Sequence, residues 1–253
     1  MSATHHDWPT APARLKPAAG EVHIWCAALV RPADEVAALS RFLSDDERER
    51  AGRFRPVAAR ARDEFIVARA LLRLLLGDCL GLDPRRVCFS VTSRGKPRLA
   101  GPDPPALCFN VSHSHGLALF AVTGRCEIGV DLERVRVRPD ADLLGMAERY
   151  FAPREAEALR SLDAAEQVEA FFRLWTRKEA YLKAHGLGIS YGLERVEVSH
   201  AADEPARIVH IDGDHMAAAC WSLHTLAPAP GYVGALALQA HDYRLHCWRW
   251  ADA

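Results

Sequence analysis

The chain has 253 residues, 49% of them hydrophobic and 26% charged, with a formal net charge of −1. This length supports one large domain or two small ones around a real core, and the balance excludes a disordered polymer. Near-neutrality excludes a global field for nucleic acid or anionic lipid, so any basic site has to be local.

Seven cysteines (Cys26, Cys79, Cys88, Cys108, Cys126, Cys220 and Cys247) form no C-x-x-C pair, and several sit inside apolar runs. Reduced, buried thiols are therefore expected, in place of a disulfide framework or a zinc site. No apolar run has the length of a membrane span, and the first residues lack a basic-then-apolar export signal. Both features point to a cytoplasmic protein that binds neither membrane nor nucleic acid.

Residues 1–20, rich in proline and small side chains, read as a loose leader. Val22 to Leu29 alternates as a strand does. Ser44-Asp45-Asp46-Glu47 has the spacing of a capping box and opens a helix. A longer helix runs from about Ala58 to Leu80, where Phe65, Ala68, Leu72, Leu75 and Leu76 recur at helical spacing before Gly81 and Pro84. Strands are expected at 87–91, 107–111 and 117–122, then at Glu127–Leu132. Helices follow at about 140–150, 153–162 and 163–184, the last ended by Gly186 and Gly188. Further strands are expected near 193–199, 206–211, 217–224, 232–239 and 244–249. Each half thus runs from a strand through helices into strands. Gly116–Ala121 and Gly234–Gln239 look alike at similar late positions, which points to two related α+β halves, 21–123 and 124–253.

Gly129-Val130-Asp131-Leu132-Glu133 puts two carboxylates on one face of a strand by its two-residue period. They are either the wet face of an edge strand or, at the end of a run that should be buried, a pair that needs a cation. Farther along, Trp175, Glu179 and Lys183 share a helix face at four-residue spacing, embedded among Phe171, Phe172 and Tyr181. Glu179 with Lys183 is a surface ion pair or part of a site. Three carboxylates suit magnesium, which takes oxygen ligands and completes its shell with water and substrate phosphate. No His/Cys set with zinc-ligand spacing stands beside them. Arg94-Gly95-Lys96-Pro97 is a cationic turn, and Arg69 and Arg73 share a helix face. Ser114 and His115 read as a polar turn.

In order and spacing, Arg94-Gly95-Lys96-Pro97, Asn110-Val111-Ser112-His113-Ser114, Ile128–Glu133 and Phe171–Lys183 resemble the surfactin-type 4′-phosphopantetheinyl transferases. The likeness extends from about residue 44 onward. It implies an α+β fold of two similar subdomains related by a pseudo-twofold, each a small antiparallel sheet packed with helices. It also implies transfer of the phosphopantetheine arm of coenzyme A to a serine of an acyl or peptidyl carrier protein, releasing adenosine 3′,5′-bisphosphate. Asp131, Glu133 and Glu179 match the magnesium positions. Ser112, His113, Lys96, Pro97, Lys178 and Lys183 match positions around coenzyme A, and Arg50 and Arg69 match basic positions on the early helices. Glu179 is the expected base for the serine proton, with Lys183 and His113 beside the phosphates. Where some relatives carry Ser-Met-Lys-Glu, this chain has Thr176-Arg177-Lys178-Glu179.

Two other readings use the same residues: a magnesium-dependent nucleotide phosphohydrolase, and a non-catalytic module that binds coenzyme A or a carrier. The run Arg134, Arg136 and Arg138 is either solvated loop charge or a surface for an acidic carrier. Two halves in one chain complete the site internally, so a monomer is expected.

Overall fold

A computed structural model describes residues 7–12, 15–101, 106–124, 126–136, 142–201 and 203–251. The elements in chain order are β1 (Glu21–Ala28), α1 (Ala33–Ser40), α2 (Asp45–Gly52), α3 (Ala59–Leu80), β2 (Phe89–Val91), β3 (Pro97–Leu99), β4 (Leu107–Ser114) and β5 (Leu117–Gly124). They continue with β6 (Ile128–Arg134), α4 (Leu143–Tyr150), α5 (Pro153–Arg160), α6 (Ala164–His185), β7 (Val196–Val198), β8 (Ile208–Ile211), α7 (His215–Ala219), β9 (Ser222–Leu226), β10 (Tyr232–Leu238) and β11 (Arg244–Arg249).

Strand alternation builds the layers. In β5, Ala118, Phe120 and Val122 pack into the cluster that holds α3, while Leu119 and Ala121 face the opposite way. There they meet Ile128, Val130 and Leu132 of β6 and Leu236 and Leu238 of β10. The other face of β10, Ala235 and Ala237, packs with α6. Helix α3, a first sheet, a second sheet and helix α6 therefore lie in four layers. β5 and β10 are apolar on both faces because both are covered.

The two sheets repeat one strand order. β1 pairs with β5 and β5 with β4, while β6 pairs with β10 and β10 with β9, all antiparallel. The similar segments Gly116–Ala121 and Gly234–Gln239 fall on the two central strands, β5 and β10. α3 and α6 are matching helices of 22 residues. Each ends on a glycine in the left-handed region, Gly186 at φ 75° and Gly81 at φ 67°, where a side chain would be strained.

Three sequence expectations need correction, and two elements went unread. The last strand, β11, does not stay with the second half. It runs parallel to β1 and extends the first sheet, so the boundary near residue 124 is crossed once. Residues 9–11 are not a free leader, because Ala11 N–H donates to the Arg249 carbonyl at 3.0 Å and Arg249 N–H to that of Pro9 at 2.8 Å. Trp8 is buried in the layer between the sheets. Residues 217–224 are a helix end, a turn and a strand start, since Asp214 Oδ1 accepts from the amides of Met216 and Ala217 and starts α7. α1 and the short strand β3 carried too few periodic residues to be read.

Gly129 fixes how α6 sits on the second sheet. A side chain there would overlap the Ala180 carbonyl and the Ala184 amide, so helix and strand touch backbone to backbone. Gly129→Ala is expected to cost ~2 kcal/mol or more by forcing these layers apart. Urea denaturation checks it, and wild-type stability would contradict this contact.

Candidate active site

Where the two sheets meet, side chains replace a missing ladder. Asn110, Ser112 and Ser114 alternate along β4 and aim at the β6 backbone. Asn110 Oδ1 accepts from Val130 N–H at 2.9 Å, Ser112 Oγ from Leu132 at 3.2 Å and Ser114 Oγ from Arg134 at 3.3 Å. Three amides of a buried strand edge are thereby satisfied, which orphaned groups would require. The same hydroxyls hold the acids. Ser112 donates to Asp131 Oδ1 at 3.0 Å, and Ser114 donates to Glu133 Oε2 at 3.0 Å.

α6 supplies the opposite wall. Because it rests on Gly129, its Glu179 and Lys183 come down beside Asp131 and Glu133. Lys183 Nζ donates to Asp131 Oδ1 at 2.6 Å and to Ser112 Oγ at 2.9 Å. Ser112 is thus fully engaged, donating once and accepting twice.

Among the described residues, two buried carboxylate oxygens have no hydrogen-bond partner, Asp131 Oδ2 and Glu179 Oε1. Burial, then the charge of Asp131, pushes the Glu179 carboxyl up to about 7, with Glu133 adding and Lys183 opposing. Burial and Asp131 likewise raise Glu133. The three acids therefore feel one another. Their oxygens are not gathered within 4.8 Å, a spacing that among the described residues only Glu21, His23 and His246 reach. Instead, the Lys183 ammonium stands against Asp131. Three acidic side chains with two orphan oxygens fit a hard divalent cation, which prefers carboxylate oxygen and relieves their repulsion.

The other expected site residues divide by what they already hold. His113 is exposed on β4, its imidazole pulled below its usual value by surrounding protein and by Lys183. Pro97 is exposed at the start of β3, and Arg50 is exposed on α2 with its guanidinium 4.9 Å from the Phe65 ring centre. Lys96 is buried, and Nζ donates to Glu127 Oε2 at 2.6 Å, to the Ile128 carbonyl at 3.1 Å and to the Ala184 carbonyl at 2.5 Å. It satisfies an open carbonyl at the end of α6 and has no proton left for a phosphate. Arg69 pairs with Glu47 at 2.6 Å and stacks on Phe89.

Lys178 is the clearest correction to a coenzyme A contact. It is fully buried, paired with the equally buried Glu155 at 2.5 Å, and donates to the carbonyls of Leu193 and Val196. An unpaired ammonium in that place would be costly, so the pair locks α6 to α5 and to the loop before β7.

Sequence reasoning missed Ser114, set aside as a turn residue, although it holds Glu133. The alternation Asn-x-Ser-x-Ser was the available signal. Tyr232 was also missed; its hydroxyl donates to the His115 carbonyl at 2.8 Å and pins the β4–β5 turn to β10. Arg134 ends β6, Arg136 lies two residues beyond it and acts on the Glu133 carboxylate, and Arg138 lies outside the described residues.

Comparison with known proteins gives the same architecture in two matches. Residues 31–124 match the family described as 4′-phosphopantetheinyl transferase, N-terminal, and residues 127–239 match the 4′-phosphopantetheinyl transferase superfamily. The chain is 41% identical to the 4′-phosphopantetheinyl transferase HetI of Nostoc sp., over 97% of this chain and 99% of that one. It is 31% identical to the 4′-phosphopantetheinyl transferase psf-1 of Bacillus pumilus, over 77% of this chain and 79% of that one. It is also 30% identical to the human L-aminoadipate-semialdehyde dehydrogenase-phosphopantetheinyl transferase, over 62% of this chain and 52% of that one. With both halves matched, and a relative covered nearly end to end, the chain belongs to the 4′-phosphopantetheinyl transferase superfamily and is a transferase.

Proposed function

We propose that the cleft between β6 and α6 moves the 4′-phosphopantetheine arm of coenzyme A onto a serine hydroxyl of an acyl or peptidyl carrier protein. Asp131, Glu133 and Glu179 are the residues that would hold a magnesium ion. The observation that carries this reading is the pair of buried, unpartnered oxygens, Asp131 Oδ2 and Glu179 Oε1, on two separate elements. Bound there, magnesium supplies charge neutralisation at the pyrophosphate of coenzyme A.

The protein groups divide the remaining work. The serine oxygen bonds to the phosphorus that carries pantetheine, and the bond from that phosphorus to the bridging oxygen breaks. The bridging oxygen leaves with adenosine 3′,5′-bisphosphate. Serine is a weak nucleophile at neutral pH, and Glu179, with its carboxyl held near neutrality, accepts its proton. Lys183 Nζ, already anchored on Asp131 and Ser112, offers a proton to the departing phosphate. His113 stands at the rim as a phosphate donor, while Ser112 and Ser114 fix the directions of Asp131 and Glu133. Arg134 and Arg136 offer cations to an acidic carrier beside this opening. All of these groups come from one chain, which supports a monomer. The seven free thiols support a cytoplasmic setting.

Incubation with coenzyme A, magnesium and an apo carrier protein is expected to add the phosphopantetheine mass to the carrier. Cleavage of coenzyme A at the same rate without the carrier would replace this reading with hydrolysis. The pH dependence has a defined sign, because only the ionised Glu179 carboxylate takes the serine proton or holds a cation. At limiting magnesium, kcat/KM should fall as pH drops through about 7, and saturating magnesium should move that limb to lower pH. A limb that ignores magnesium concentration would contradict the shared site.

A further inference from the structure

Away from the cleft, the first sheet collects metal-binding side chains from both ends of the chain. The two-residue period of β1 puts Glu21 and His23 on one face. Its parallel register places His246 of β11 beside His23 and Arg244 beside Glu21. One ligand atom from each of Glu21, His23 and His246 lies within 4.8 Å of the other two. The two imidazoles stack with ring centres 4.7 Å apart. Glu21 Oε2 is 3.1 Å from His23 Nε2, and its Oε1 is 3.9 Å from His246 Nε2.

Much of this arrangement is already held in place. The Ala18 amide donates to Glu21 Oε2 at 2.9 Å, and Arg244 donates to Oε1 at 3.1 Å. Trp248 Nε1–H donates to His23 Nδ1 at 3.0 Å. The atom left without an account is His246 Nε2, buried and without a hydrogen-bond partner on a side chain that is 33% exposed. A buried ring nitrogen left unpartnered beside a carboxylate and a second imidazole calls for an explanation, and a bound cation supplies one.

We propose that Glu21, His23 and His246 bind a transition-metal dication of the zinc class, with the remaining position open to water. Two imidazoles and one carboxylate suit such an ion and not magnesium, which takes oxygen ligands. The site would clamp β11 onto β1 and is separate from the acids of the cleft. Its donors come from opposite ends of the sequence, so no local spacing reveals it.

Binding has an internal reporter. Because Trp248 donates to His23 Nδ1, the proton of the metal-free neutral ring sits on Nε2 and points at Glu21. Coordination through Nε2 moves that proton to Nδ1, with no net change in protons. Nδ1–H then faces the indole N–H, and the Trp248 bond breaks. Metal uptake should therefore change tryptophan emission.

The test titrates the tag-free full chain with cobalt(II), in magnesium buffer, beside His246→Ala and Glu21→Gln. Each variant's fold is checked by circular dichroism. Wild type is expected to take up one more cobalt(II) than either variant, with the visible absorption of a nitrogen- and oxygen-ligated ion. Zinc should displace it, and the emission change should be lost in Trp248→Phe. Affinity should fall at least ~10-fold in both ligand variants, while transfer in saturating magnesium stays at the wild-type rate. Equal uptake by wild type and the folded variants would overturn the proposal. So would absorption showing only thiolate ligation, which would place the metal on the cysteines.

Discussion

Glu179→Gln is expected to lower turnover on an apo carrier protein by about 10²- to 10⁴-fold, the range for loss of a positioned general base. The same substitution should stabilise the metal-free protein above neutral pH. The folded Glu179 carboxyl titrates at about 7, above its ordinary value of 4.5. The fold therefore favours the protonated form and loses stability as pH rises from 4.5 through 7. Glutamine removes that loss, on the order of 1–3 kcal/mol above pH 7, and changes little below pH 4.5. Activity and stability thus move in opposite directions, which a merely structural glutamate would not produce. Near-full turnover with magnesium still bound would remove Glu179 from the role of base.

Glu155→Ala is expected to destabilise the fold by about 3–5 kcal/mol, because it leaves the fully buried Lys178 without its carboxylate. For a chain of this size that corresponds to a fall in Tm of roughly 10 °C, readable by calorimetry. Glu155 also accepts from the amides of Ala152 and Val198, both at 2.8 Å, so its loss loosens α5 and β7 together. Replacing both partners, as in Glu155→Leu with Lys178→Met, should recover the part due to the unpaired ammonium, while the amides of Ala152 and Val198 stay without their acceptor. In the double variant KM for coenzyme A should stay near wild type, since neither side chain reaches the cleft. A large rise in KM with normal stability would restore Lys178 as a ligand-binding residue.

How much of this was legible in the sequence follows from what each signal measures. Period two placed Asp131 and Glu133 on one face, and four-residue spacing placed Glu179 with Lys183, because both rules act within one element. The likeness of Gly116–Ala121 to Gly234–Gln239 pointed at β5 and β10, since both are central strands covered on two faces. Partner choice was not legible. Lys96 and Lys178 carry the same charge as Lys183, but each pairs with a carboxylate elsewhere in the chain, Glu127 and Glu155, and spends its other protons on backbone carbonyls. Cations that read as phosphate ligands are in these two cases internal ties. The return of β11 to β1 was equally hidden, because alternation identifies a strand and says nothing of its neighbour. Ser114 was passed over for a related reason: a serine near a turn looks solvated until the facing strand edge is known.

Binding of manganese(II), a spin-active stand-in for magnesium, tests the central claim most directly. Electron paramagnetic resonance in the presence of coenzyme A, on the His246→Ala background, counts only the cleft ion. One manganese per chain is expected, with affinity lowered at least ~10-fold by Asp131→Asn and equally by Glu179→Gln. Wild-type affinity in either folded variant would show that strand and helix do not share an ion, and the cleft would lose its proposed chemistry.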